Sequence, residues 1–263
     1  SAEMAATKEP FNGYAANAEP MLDVMRMHRD AAYAIDRNFI INALHGGLSK
    51  PATGPIAPGS PFYNGDVETY DFDLDKAKAL LDEAGLKPGS DGMRFKLEVD
   101  HIPAVPEQQK AIAEYLRPAL KKVGIAVRVR NAPDFPTWAK RISGHQFQAS
   151  MDIVFNWGDP VIGVHRTYLC NNIKKGVIWS NTQQYCNPKV DSILEMAGKE
   201  TDMAKRVNLY GEFQRIVADD LPLYWINIMP QRTAYHMDLG NPPTSVWGVI
   251  SPMDQTYWKK QPK

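Results

Sequence analysis

Apolar residues first recur at helical intervals between about Asp23 and His45, where Met27, Ala31, Ala34, Ile35, Ile41 and Leu44 fall on one face and Gly46-Gly47 stops the run. This predicts one long helix. From Lys50 to Asp71 the chain fills with Pro, Gly and Asn and reads as an extended surface segment. Asp73 then offers a cap for a helix through Leu74, Ala77, Leu80 and Leu81 to Ala84, with Gly85 supplying the left-handed residue that ends it.

The next stretch is the expected architectural core. Phe95, Leu97 and Val99 alternate as a strand, Glu107 to Val123 reads as a helix, and Ile125 to Val129 alternates again. A second helix over Phe135 to Ile142 and a third strand over Ser150 to Phe155 extend this βαβ unit, which predicts a sheet with helices on its faces. Pro118 is expected to kink or break its helix, because it lacks a backbone donor. After Asp159-Pro160 a loop-rich stretch runs to Asn187. Pro188 opens a helix through Ile193 and Leu194, Thr201 is placed to cap a longer one carrying Val207, Leu209, Phe213 and Val217, and Leu221-Pro222 ends it. Leu223 to Ile228 and Gln231 to Met237 read as strands before a tail rich in Pro, Gly and Trp.

Bulk properties narrow the function classes. Thirty basic residues balance thirty acidic ones over 263 residues, so the overall field holds no long-range attraction for nucleic acid or an anionic membrane surface. No stretch approaches the length of apolar chain that crosses a membrane as a helix. Residues 1–20 show no basic start followed by an apolar run, so no secretory signal is expected within them. Cys170 and Cys186, the two cysteines, lie sixteen positions apart in a polar stretch, a spacing that permits a disulfide in an oxidising compartment and equally permits two free thiols.

No Gly-x-Ser-x-Gly elbow, phosphate-cradling loop or His-Glu-x-x-His pair is present. His28, His45, His101, His145, His165 and His236 are scattered rather than grouped at ligand spacing, and no pair of carboxylates stands out as an acid and base set. The sequence therefore predicts neither an enzyme nor a cofactor. A hydrolase using Cys170 or Cys186 would require a free thiol.

Several segments together resemble the extracellular solute-binding proteins of family 5. They are Ala32-Tyr33-Ala34-Ile35-Asp36-Arg37, Ala77 to Leu86 with its Pro-Gly-Ser-Asp-Gly turn, Lys122-Val123-Gly124-Ile125, Tyr185-Cys186-Asn187-Pro188-Lys189-Val190-Asp191, and Arg206 to Pro222. Their order and spacing match from about residue 15 to the end. The resemblance implies an α/β fold of the periplasmic-binding-protein type (type II, cluster C), a periplasmic or extracellular location, a small-molecule solute as partner, and the transmembrane permease subunits of an ABC importer as a second partner.

It further implies that residues 1–20 are an extension or inter-lobe segment, 21–222 the second lobe, and 223–263 strands that return to a first lobe. The chain then looks like the C-terminal part of a longer protein, with exposed apolar surface expected from about Leu223 onward. In peptide-binding relatives a Gly-Trp-x-x-Asp-x-x-Asp-Pro loop grips the peptide ammonium. Aligning on Asp159-Pro160 puts Asn156 at that acidic position and Asp152-Ile153 at Gly-Trp, so the anchor has lost its charge. The Arg that dipeptide binders carry after the first strand is absent from 100–106.

The residues left at these loops, Asn156, Trp157, Asp159, Asp100 and His101, form the candidate solute site. Their mixture of aromatic faces with neutral and acidic groups suits a peptide-like, opine-like or sugar-like solute. Asp159 also reads as a plain cap of a helix beginning at Pro160. Arg128, Arg130, Lys140 and Arg141 read as a solvated face. The alternative from a different class is a non-enzymatic protein-interaction module that presents an aromatic-rich surface.

Overall fold

The computed structural model describes residues 29–103, 106–229, 233–245 and 250–260. The N-terminal extension and the start of the first expected helix, Asp23 to His28, lie outside these residues, as do 231 and 232 of the second C-terminal strand.

Helix α1 (Leu74–Glu83) starts where Asp73 accepts the backbone N–H groups of Asp75 and Lys76, and ends before Gly85 at φ +78°. Strand β1 (Phe95–His101), helix α2 (Pro106–Lys121), strand β2 (Ile125–Arg130), helix α3 (Phe135–Ser143) and strand β3 (Ala149–Met151) follow. The three strands pair in parallel in the order β2-β1-β3. Alternation along β1 and β2 sorts their side chains onto two faces. Val99, Ile125 and Val129 are buried in one core with Ile112, Ala113, Leu116 and Leu120 of α2, joined by Ala32 to Ile35 and Ile40. On the other face Trp138 and Ile142 of α3 form a smaller core with Ile102. Pro118 does not mark a break, since α2 runs on to Lys121. It stands in the last turn, where only the one N–H bond that proline cannot make is lost, and the burial of Ala119 and Leu120 after it holds that turn in place.

A second body of apolar packing belongs to helices α4 (Val164–Tyr168), α5 (Pro188–Lys199) and α6 (Met203–Asp220). Tyr168, Tyr185, Leu194, Tyr210 and Phe213 are buried there with Ile56 and Phe62 from the extended segment. Asn187 caps α5 ahead of Pro188, as the sequence suggests. The cap of α6 is Asp202 rather than Thr201: its carboxylate accepts the Lys205 N–H, while Glu200 accepts the N–H groups of Thr201 and Asp202.

Other expectations fail as well. The first helix is not continuous, because the chain leaves helical geometry over 33–36. There the Tyr33 carbonyl accepts the Asp73 N–H, the Asp36 N–H donates to the Tyr115 hydroxyl, and Asp36 caps a new turn at Phe39. The third strand stops at Met151, and Phe155 stands 42% exposed beyond it. Leu223 to Ile228 contributes only Asn227–Ile228, paired antiparallel with Lys50–Pro51, and 233–237 make no strand, the next pairing being Leu239–Gly240 with Tyr257–Trp258. Arg130 and Arg141 are not a solvated face but hold a buried carboxylate, described below.

From Met237 onward large apolar side chains reach solvent. Met237 is 90% exposed, and Ile250, Met253, Tyr257 and Trp258 are exposed as well.

Candidate functional site

In an open parallel sheet the crevice for a ligand lies outside the carboxyl ends of the strands, where the order of strands reverses. Here the chain steps from β1 to β2 on one side and then crosses to β3 on the other. The residues beyond His101 and Met151 therefore form the predicted rim, with the two strand ends tied by the Ile102 N–H to the Met151 carbonyl at 2.9 Å.

On the β1 side the polar groups are consumed by the fold. Asp100 has no exposed side-chain surface. Its carboxylate accepts Nε of Arg130 at 3.1 Å to each oxygen, Nη2 of Arg130 at 2.6 Å, and Nη1 of Arg141. Arg130 also reaches Glu98 at 3.3 Å and the Gln146 carbonyl at 2.9 Å, and Arg128 meets Glu98 at 3.0 Å. The cross-strand register puts Glu98 beside Arg128 and Asp100 beside Arg130, so alternation alone aligns this ladder. His101 is buried next to it, with Nε2 2.8 Å from Asn131 Oδ1. The structure thus places Asp100 and His101 at the rim with their polar atoms already paired.

The β3 side is different. Asp152 sits just past the strand and accepts the Ile153 N–H at 2.6 Å. Burial pushes its carboxyl up to about 7, against the opposing pull of that N–H and of the Trp179 indole. Trp179, at φ +53°, packs its ring 5.4 Å from that of Phe135 with the planes tilted by 31°. Four residues after Asp152, the Asn156 side chain donates Nδ2 to the Pro55 carbonyl at 2.7 Å, while its Oδ1 is buried without a partner. Phe155 and Trp157 stack at 5.7 Å with planes 14° apart. Gly163, at φ +114°, lets the returning chain come close: a Cβ there would stand 2.7 Å from both Asn156 Oδ1 and the Phe155 carbonyl.

Asp159 fixes this loop from beneath. Its carboxylate accepts the Val161 N–H at 3.0 Å and receives Arg206 Nη2 at 2.9 and 3.0 Å. Burial would raise the Asp159 carboxyl, but Arg206 and the Val161 N–H outweigh it and hold the group below the usual carboxylate range. Asp159 caps a turn, not a helix, because α4 begins only at Val164. Arg206 in turn lies 4.9 Å over the Phe62 ring and donates to the Ala197 carbonyl, locking the loop to α5 and α6.

Cys170 and Cys186 are joined in a disulfide with Cα atoms 4.7 Å apart, which leaves no thiol for a nucleophile or a thiolate ligand. Asp191, next to the pair, accepts the Cys170 N–H at 2.9 Å. The bridge closes the loop that carries Trp179. Sequence reasoning singled out neither Trp179 nor Arg166, whose Nη2 donates to the Phe155 carbonyl at 3.3 Å. Both stand outside the strand-end phrases, and only folding returns them to the rim.

Comparison with known proteins agrees with this architecture. The chain is 28% identical over 224 residues to the dipeptide-binding protein of Escherichia coli K12, covering 84% of this chain and 40% of that one. It is 29% identical over 213 residues to the heme-binding protein A of Haemophilus influenzae, covering 78% of this chain and 36% of that protein. It therefore spans well under half the length of these relatives. The solved oligopeptide-binding protein AppA of Bacillus subtilis, in complex with a nonapeptide, superposes with a TM-score of 0.73 at 20% identity over 90% of this chain and 48% of that one, a likeness of fold. Residues 12–180 match the model of the middle region of one family, and with the parallel sheet and its rim described, the chain belongs to the bacterial extracellular solute-binding proteins, family 5.

Proposed function

We propose that this chain supplies the second lobe, residues 21–222, of a protein that captures a small polar solute in a cleft between two lobes and delivers it to the membrane permease of an ABC importer. The observation that supports the reading most directly is Asn156, whose buried side-chain oxygen lacks a partner at the reversal point of the sheet. Trp157 and Phe155 supply an aromatic face next to it. Asp100 and His101 are assigned to shaping the rim and Asp159 to holding the loop, so their contact with solute is indirect.

On this reading 223–263 return to the first lobe, and the exposed Met237, Ile250, Tyr257 and Trp258 are the side chains that lobe covers. Closure then follows from differential affinity: a solute shifts open lobes to closed only by as much as it binds the closed form better. The relatives' cargoes, a dipeptide and heme by name, differ so widely that membership alone does not name the solute.

The test is a thermal-shift panel on the complete gene product with peptides, amino-acid conjugates, oligosaccharides and metal chelates. Solute at a hundred times its dissociation constant stabilises the native state by about 2.7 kcal/mol, a rise of several degrees. A response to one chemical class supports the reading. A flat panel together with a stable complex to another protein would move the exposed apolar surface to the centre of the function.

A further inference from the structure

Most of the buried and half-buried arginines are matched to a carboxylate. Arg130 and Arg141 hold Asp100, Arg206 holds Asp159, and Arg94 holds Asp82 at 2.6 Å. Arg166 is the exception. Among the described residues no carboxylate lies within 4.0 Å of its guanidinium, its Nε is buried without a hydrogen-bond partner, and its contact at Nη2 is a long one to the Phe155 carbonyl. A guanidinium offers five donors in a planar fork and has no neutral form to retreat to, so a buried donor left open on it calls for an acceptor.

Asn156 presents the complementary half. The Pro55 carbonyl can accept only from the amide nitrogen, which fixes the orientation of the Asn156 side chain and makes the unpaired buried atom its oxygen. The two residues meet the same short piece of backbone. The Phe155 carbonyl takes the Arg166 contact, and that carbonyl and Asn156 Oδ1 lie equally close to Gly163. One unsatisfied donor with a fixed positive charge and one unsatisfied acceptor thus flank Phe155. Buried polar atoms of both kinds are seldom left open in native proteins.

We propose that Arg166 is the anion anchor of the solute site: it receives a carboxylate of the solute, while Asn156 Oδ1 accepts a hydrogen bond from a donor group on the same molecule. This rests on the solute-binding reading above and narrows it to solutes carrying both an acid and an N–H or O–H donor, such as amino-acid conjugates and uronic acids. It also gives the positive group missing from the segment after β1 a different origin, on the opposite loop.

The experiment is calorimetric titration of the complete gene product with acid and neutral twins: alanylalanine and its amide, histidine and histidinamide, galacturonic acid and galactose. In the wild-type protein an acid is expected to bind about 10- to 100-fold tighter than its neutral twin, the span of a charge-assisted hydrogen bond. Arg166→Gln should collapse that gap by weakening the acid far more than its neutral twin, and Arg166→Lys should restore part of it. A residue that only shaped the loop would weaken both twins alike. Neutral twins binding as tightly as acids in the wild-type protein, a comparison that needs no variant to fold, would overturn the anchor and leave solute binding intact. The anchor is overturned equally if the gap survives Arg166→Gln, in which case a bridging water fills the two open atoms. If none of these probes binds and the thermal-shift panel is also flat, both readings fall.

Discussion

Asp100 and Asn156 stand on the same rim, one at the end of β1 and the other beyond β3, yet they face opposite situations. Asp100 is enclosed by two guanidinium groups and has every oxygen occupied, whereas Asn156 has one polar atom bonded and the other buried and open. A polar residue at a ligand-binding edge is therefore not a ligand residue by position alone. What separates the two is whether neighbouring side chains have already met its hydrogen-bonding capacity. Asp100 is part of the frame, and Asn156 with Arg166 is the part left open.

The contrast is broken most forcefully by Arg130→Met. It removes three of the four contacts to the Asp100 carboxylate and leaves a fully buried charge with only Arg141. Breaking a buried pair from one side costs about 3–5 kcal/mol, which urea unfolding should register as a lower midpoint. A loss under about 1 kcal/mol would mean that water reaches Asp100 and that the frame is looser than its packing. Next in size is the disulfide. A bridge closing a loop of this length contributes about 3 kcal/mol in the chain-entropy account, so Cys170→Ser with Cys186→Ser should fall by about that amount. Adding reductant to the wild-type protein should reproduce the fall and leave the double variant unmoved.

Gly163→Ala comes third and acts on the open side. At φ +114° a side chain is strained, and its Cβ would press on Asn156 Oδ1 and the Phe155 carbonyl. A cost of about 2 kcal/mol is expected, accompanied by weaker solute binding as Asn156 and Arg166 are pushed apart. Arg130→Met should lower stability without that selective loss of affinity once binding is measured well below its melting temperature. Equal loss of affinity in both variants would erase the distinction between frame and open site.

The sheet and its helices were legible because β1, β2, α2 and α3 each bury one side of a regular period, and their caps, Asp73, Asn187 and Gly85 among them, act through local bonds. Legibility fails wherever a distant residue decides. The first helix breaks because Tyr115 and Asp73 take backbone groups from it. Leu223 to Ile228 has strand-like residues, but only Asn227 and Ile228 find a partner strand. Arg130 looks like an exposed member of an alternating strand until α3 brings Arg141 over the same carboxylate. At the site, the strand ends and the Asn156 loop could be located from the order of elements. Arg166 could not, because nothing in its neighbourhood in the sequence distinguishes an arginine that will meet a carboxylate from one that will not.

The smallest effect concerns Asp152, which lies between frame and opening, and its sign runs against the usual behaviour of a carboxylate. Its ordinary value of 3.8 is raised to about 7 in the folded protein, burial outweighing the Ile153 and Trp179 N–H groups. Between these two values the folded state holds a proton that the unfolded state has released, so stability declines as pH rises through that window and the penalty is complete above about 7. The full interval corresponds to a ceiling of about 4 kcal/mol. Asp152→Asn removes the penalty but presents one oxygen to two N–H donors, so a net gain of about 1 kcal/mol at pH 8 is expected, vanishing near pH 4. Paired urea titrations across that range would show the wild-type and variant midpoints diverging with rising pH. Parallel curves would mean that Asp152 is hydrated and ionised at neutral pH, which would move it from the frame to the open side and give the rim a negative charge beside the positive one at Arg166.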